Sequence, residues 1–563
     1  MKSDSTPFVA ADTVYTDTVK SPLPVAPRPA GPEVRGRRWI WDRDAIFAGG
    51  AVTLPDLLAE VPGVTVLTAG FIAAPTATSW YGESGRVRIF YDGIELDDLD
   101  SRTGGVQDLG TIPLWALEEV AVERAAGELR VHLRSWRVRL TTPETRTDIL
   151  TGSENTNLYR GFYGKRLRNG GALQFGAQQF STTSVRTGGD TDGLSPFGRI
   201  GFARGRLSLD ASALKFGRKR TPMVRDILSG TPTPNAIAAF EGDDAVGYVR
   251  AAWGRPDTTG WWVQATASAL RHQETGDSTA GADTAVARTQ FVLAAGATHW
   301  GVDLSGSVRL RVGQGDSRVA TALRGAWQGR WVGVSAFAEA GGPDSSRRVD
   351  AVVALTPFRW LHAQLAHGIR TPEDAATGGP AVATSRAELA GRLYGRWISA
   401  GAVHRGATTV PALRVFDTRY AAAALGSATG IQAGVGGAVW GPVTAEWRGI
   451  RWAEEGLYRP QVESRAELRV ASDFRRQIPR GTFALSAAAI HEYRGGIVIP
   501  TATGGTLRTQ GAAVFGTTLD MRLGSAHIFW HNRNAMGKVY ETVPGFLMPR
   551  LVQMYGVRWS FWN

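Results

Sequence analysis

The chain has 563 residues, 69 of them Gly and 19 Trp, a formal net charge of +12 and no Cys, which excludes disulfides and thiolate metal sites. Only six of the 63 basic residues are Lys, and the Arg residues are scattered along the chain rather than clustered, which argues against a nucleic-acid footprint. No apolar run reaches the roughly 18 residues that a membrane-spanning helix needs.

Residues 1–38 are rich in Pro, Thr, Asp and Val and read as an irregular, extended segment. Met1–Val19 lacks the apolar core of a signal peptide, so an exported protein would have lost its signal or would begin upstream. Asp12, Thr13, Val14, Tyr15, Thr16, Asp17, Thr18 and Val19 form a stretch suited to adding as a strand to a partner's sheet edge. A plain linker is the simpler reading of the same residues.

A compact mixed α/β unit is expected over 39–141. Thr53 caps a helix through LPDLLAEV, whose Leu54, Leu57, Leu58 and Val61 recur at helical spacing, and Pro62-Gly63 stops it. Val64–Leu67 reads as a strand. The glycine-spaced stretch 69–85 reads as an apical loop exposing Phe71, Trp80 and Tyr81, rings suited to stacking on a ligand or to packing on a wall. Arg86–Tyr91 is a second strand, and Asp92-Gly93 a tight turn. Asp97, Asp98 and Asp100 follow as an acidic run, either a solvated turn or a contact for a cation or chelate. A short helix around Leu114–Leu117 leads to a strand ending at Glu123-Arg124, then to a last strand over Glu128–Leu140.

From 142 to 563 the period changes to two. Leu207, Leu209, Ala211 and Ala213 alternate with Ser208, Asp210 and Ser212; Val302, Leu304, Val308, Leu310 and Val312 alternate with Asp303, Ser305, Arg309 and Arg311. Such strands exceed the usual length of about 5–6 residues. Their charged faces oppose faces of Ala, Val, Leu and Gly, as when one side meets lipid and the other a lumen. Trp253, Trp261, Trp262, Trp300, Trp327, Trp331, Trp360, Trp440, Trp447 and Trp452 fall near strand ends, like an interfacial girdle. Short turns such as Tyr394-Gly395 alternate with long polar loops at about 181–197, 218–243, 272–284, 372–384, 405–418, 494–508 and 535–549. The count is about 22 strands, with one ambiguity near Ala421–Thr429. A sheet of that size in hydrocarbon has to close, and a barrel that wide needs an occupant.

LPDLLAEVPGV with its Pro62 and Gly63, VRIFYDGIEL with its Asp92 and Gly93, IPLWALEEVAVERAAG with its Glu123 and Arg124, and the closing YGVRWSFWN resemble motifs of the TonB-dependent outer-membrane receptors of Gram-negative bacteria. The resemblance implies an all-β transmembrane barrel of about 22 antiparallel strands over 142–563. It implies a small α/β plug domain over 39–141 inside the lumen, and a TonB-box-like stretch within 1–38. It further implies a monomer in the outer membrane, among lipid and lipopolysaccharide, inserted by the barrel-assembly machinery. The TonB C-terminal domain would pair with Asp12–Val19. Plug movement would then import a scarce small-molecule ligand such as a ferric siderophore-like chelate, a vitamin or a carbohydrate. A plugged or porin-like barrel without energy coupling is the alternative. The sequence departs from the family in the shortened run after Arg124.

No catalytic set, metal site or cofactor is expected. The nine His residues show no HExxH spacing, and the glycine pairs lack a phosphate-binding pattern. The basic balance points to an anionic ligand.

Overall fold

The computed structural model describes residues 39–562 except 49, 71, 101–102, 104–105, 140, 185–186, 226–231, 256–258, 276–282, 314, 342–345, 372–380, 475–477 and 479–480. Twenty-two antiparallel strands of 8 to 16 residues form one closed barrel. Closure pairs the first barrel strand, Glu144–Gly152, with the last, Val552–Trp562. The ambiguous stretch near residue 421 is not a barrel strand: Ala423–Leu425 pairs with Thr408–Val410 in a small hairpin outside the wall.

The barrel is apolar outside and polar inside. Leu207 and Leu209 are exposed while Ser208, Asp210 and Ser212 are buried; Leu304 and Val308 are exposed while Arg311 is buried. This reverses a water-soluble sheet and fits hydrocarbon outside. The scattered arginines are a consequence. Period two sets them on the lumen side, where Arg199, Arg250, Arg348, Arg386 and Arg405 are all buried.

Most connections at one rim are short, for example Trp300-Gly301, Tyr394-Gly395 and Gly524-Ser525, while most at the other are longer. Trp261, Trp300, Trp327, Trp331, Trp360 and Trp440 are exposed near the short-turn rim, as the girdle requires. Trp262 and Trp452 are not part of it; they point inward and are buried. The strands run longer than their turn-like composition suggests. Thr191–Arg204 is one 14-residue strand, although Gly193, Ser195 and Pro196 read as loop, because ladder pairing on both sides overrides local propensity.

The lumen holds a five-stranded sheet and a separate hairpin. In chain order the strands are β1 (Trp39–Asp42), β2 (Val64–Thr68), β3 (Thr76–Trp80), β4 (Val87–Tyr91), β5 (Ile94–Glu95), β6 (Leu117–Arg124) and β7 (Leu129–Ser135). The sheet order is β1-β6-β7-β4-β5, with β4 and β7 parallel; β2 and β3 form the hairpin. Helices α1 (Arg43–Ala48) and α2 (Leu54–Leu58) cover it. The Thr53 amide donates to Asp56 at 2.9 Å at the start of α2, and Leu54, Leu57 and Leu58 are fully buried. The helix around Leu114–Leu117 is absent. That stretch is a turn entering β6, and the nearest helical turn is a 3-10 segment at Leu109–Thr111, where Asp108 accepts from the Gly110 amide.

Candidate ligand-binding site

Three structural features converge on the long-loop side of the lumen. The first is the anchorage of the sheet to the wall. β4 places Arg88 against Glu95 of β5 at 2.6 Å, Glu128 at 3.1 Å and the wall residue Glu339 at 2.7 Å. Arg309 and Arg311 of the wall also donate to Glu95. Arg130 of β7 binds Glu123, Glu128 and the wall residue Asp350, with its guanidinium 3.8 Å from the Phe337 ring centre. At the end of β6, Glu123 accepts from Arg324 at 3.0 Å, and Arg124 donates to Glu388 at 2.8 Å. Burial alone would raise the Glu123 and Glu128 carboxyls. Arg324 and Arg130 around the first, and Arg348, Arg130 and Arg88 around the second, instead hold both well below the usual range.

Asp92-Gly93 is the expected tight turn between β4 and β5, with φ of 48° and 84°. It is also an anchor, which its turn-like sequence does not announce. Asp92 is fully buried, accepting from Ser135 N at 3.0 Å and Tyr248 Oη at 2.8 Å. Burial opposes its charge, but Arg137, Arg199 and Arg250 hold its carboxyl down at about 2.

The second feature is a hydrophobic core shared by the β2–β3 hairpin and the long loops. Leu67, Ala69, Ala74 and Ala77 pack against Leu413, Phe416, Tyr458, Ile497, Val543 and Phe546. Polar contacts stitch the seam: Thr542 Oγ1 accepts from Thr68 N at 2.9 Å and donates to Thr68 O at 2.8 Å, and Ser79 Oγ donates to Tyr458 O at 3.2 Å. Trp80 and Tyr81 are therefore not exposed apical rings. They stack on each other at 3.9 Å and are 1% and 2% exposed, with Tyr81 edge-on to Trp452. Gly63 makes the close packing possible; with φ +85°, it presents a hydrogen where a Cβ would stand 2.3 Å from the Tyr81 ring. Phe71 and Asp12–Val19 lie outside the described residues.

The third feature is a chamber of about 610 Å³ beside that seam. Residues 96–100 after β5, with Gln107, Asp108, Thr111 and Ile112, form its floor. Upper strand ends at Phe216–Arg220, Phe240–Val246 and Leu270–His272 form its wall, and residues 235–238 and 414–418 its roof. Asp97, Asp98 and Asp100 all line it, so the acidic run does reach a cavity. Their environments differ. Asp97 is held by Gln290 at 3.2 Å and Arg288 at 3.3 Å. Asp98 accepts from Thr103, and burial, together with the neighbouring Asp100 charge, pushes its carboxyl up to about 6. His272 Nδ1 pairs with Asp244 at 2.8 Å, and Arg218 with Asp108 at 3.4 Å. Six aspartates and four arginines line the space, so the chamber is mixed in sign rather than basic.

Residues 33–131 match the family model described as TonB-dependent Receptor Plug Domain. The internal domain is a TonB-dependent receptor plug, and the whole chain has the TonB-dependent receptor fold. Solved structures agree on the architecture. The FrpB iron transporter from Neisseria meningitidis (F3-3 variant) superposes with a TM-score of 0.72 at 11% identity, covering 93% of this chain and 100% of that one. The siderophore receptor PirA from Acinetobacter baumannii gives 0.68 at 10% identity, with 93% and 98% covered. The copper transporter OprC gives 0.69 at 12% identity, with 91% and 96% covered. No curated protein matches the chain by sequence. The plug-and-barrel form is that of bacterial outer-membrane transporters. In outer-membrane barrels of this form the short-turn rim is the periplasmic one and the longer loops are extracellular.

Proposed function

We propose that this receptor imports a compact polar ligand through the outer membrane, with the chamber as its binding site and TonB-coupled plug movement as the driving step. The observation that supports the reading is the chamber itself, built from plug, wall and extracellular loops together. About 610 Å³ suits a ligand of moderate size. Its mixed lining fits a ferric siderophore-like chelate, a vitamin or a carbohydrate. Iron, siderophore and copper transport are named for the similar structures.

The floor of the chamber runs directly into β5, whose Glu95 joins plug to wall through Arg88, Arg309 and Arg311. A ligand contact at Asp97 or Asp98 thus sits two or three residues from an anchoring ion pair. TonB would add a strand at Asp12–Val19 and draw the plug, opening a path along the wall. Deleting Thr13–Val19 tests coupling. Radiolabelled or fluorescent ligand uptake should fall to the level of a strain lacking TonB while surface binding persists. Uptake that continues undiminished would instead support a passive plugged barrel.

A further inference from the structure

The lipid-facing side of the barrel carries a second cavity, remote from the chamber. It is a groove of about 500 Å³ crossing the strands between Arg396–Arg405 and Ala512–Leu523. Sequence creates it in two ways. One cross-strand row of outward positions reads Gly437, Ala445, Leu468, Ala489, so three of its four side chains are small or absent. The ladder also slips between Ala438 and Trp440, where Gly437 adopts φ +142°. Trp447 and Phe515 stand on one side of this row and Val439 on the other; all three are between 41% and 49% exposed.

The position of the groove decides what fills it. It begins at the periplasmic rim with Arg396, the residue after the Tyr394-Gly395 turn, and rises toward Phe515. Five interstrand steps of about 4.8 Å make it roughly 24 Å long. A row perpendicular to strands tilted by about 45° climbs roughly 17 Å, close to one leaflet of a ~30 Å core. Arg396 is exposed at the lower end, donating to the carbonyls of Ala438 at 3.0 Å and Val439 at 3.3 Å and keeping further N–H groups for another acceptor. A charged guanidinium at the headgroup level beside an apolar groove of leaflet height matches one chemistry. We propose that the groove binds a single diacyl phospholipid of the periplasmic leaflet, an acyl chain lying along Gly437, Ala445 and Ala489 and the phosphate on Arg396. Hydrocarbon gains close packing there rather than hydrophobic transfer, because the alternative is other lipid. The phosphate supplies the charge-assisted hydrogen bonds.

The test uses the full chain purified in mild detergent and returned to nanodiscs of phosphatidylethanolamine and phosphatidylglycerol. Native mass spectrometry reads the lipid retained. The wild type is expected to keep one phospholipid that the groove-filled double variant Ala445→Leu/Ala489→Leu loses; both substitutions stay apolar on the lipid face and leave the barrel fold intact by heat-modifiable gel mobility. Arg396→Gln is expected to weaken retention about fivefold, the worth of one cation at a phospholipid surface. Equal lipid retention in wild type and filled variant overturns the proposal. So does a wild-type dimer that the filled variant abolishes, which would make the groove an interface between copies.

Discussion

Arg130 shows what an arginine inside this barrel does. It is 1% exposed and faces Glu123, Glu128 and Asp350 at once. Arg130→Met would keep the bulk beside Phe337 and leave two buried carboxylates, Glu128 and Asp350, and the half-buried Glu123 short of a cation. The expected loss is about 3–5 kcal/mol in the unfolding free energy of the plug, read by denaturant titration followed at Trp115, a fully buried plug residue edge-on to Phe162 of the wall. A loss under about 1 kcal/mol would mean that water or the remaining arginines compensate. Asp98 behaves in the opposite sense. Its carboxyl is raised to about 6 in the folded chain, so folding favours its protonated form. Its contribution is complete below the ordinary carboxylate value and is lost as pH rises through about 6. Asp98→Asn should therefore gain melting temperature relative to wild type as pH rises from 4.5 to 7.5. A difference that stays flat with pH would show that Asp98 is solvated.

Elements were unequally legible in the sequence. The period-two strands were readable because a lipid-facing wall imposes alternation over long runs, and Leu207–Arg220 or Val302–Gly313 carry it plainly. The helix at Leu54 was readable from its cap and stop. β3 was hidden: TATSW carries little period, and all five of its residues are buried, with plug on one side and folded loops on the other. Trp80 and Tyr81 looked exposed for the same reason, since nothing local reveals that they stack on each other with Trp452 of the wall edge-on to Tyr81. The hairpin–loop core also makes a prediction. Leu67→Ala, at a fully buried position, should cost about 2–5 kcal/mol locally. It should also speed hydrogen exchange in the 408–425 hairpin, which lies more than 300 residues away in sequence. Unchanged protection there would separate the loops from the plug.

For the whole molecule, the chamber was the least legible part. The acidic run was visible, but Phe216, Phe240 and His272 come from three neighbouring wall strands and Arg414 from a loop far along the chain, and only the folded plug and loops set them around one space. The net charge of +12 also misled in one respect: much of the arginine is spent on the plug–wall contact, and the chamber is left mixed in sign. That contact has a pH consequence. Glu123 and Glu128 are held well below their ordinary range by arginines, so their stabilisation is present above about 4.5 and is lost only as pH falls through the depressed values. The plug should stay docked at pH 4, with β6 and β7 amides as protected as at pH 7 once intrinsic exchange is corrected. Release already at pH 4 would mean these pairs are hydrated.

The seam between the β2–β3 hairpin and the extracellular loops gives the receptor an unusual mechanical continuity. A tug on the inner end of the plug would not stop at the lumen. It would travel along β2 to Thr68, cross to Thr542, and dent the surface that the cell shows to its surroundings. Inside and outside would thus be two ends of one tether, and an antibody or phage gripping the outer loops would hold the plug as firmly as any ligand.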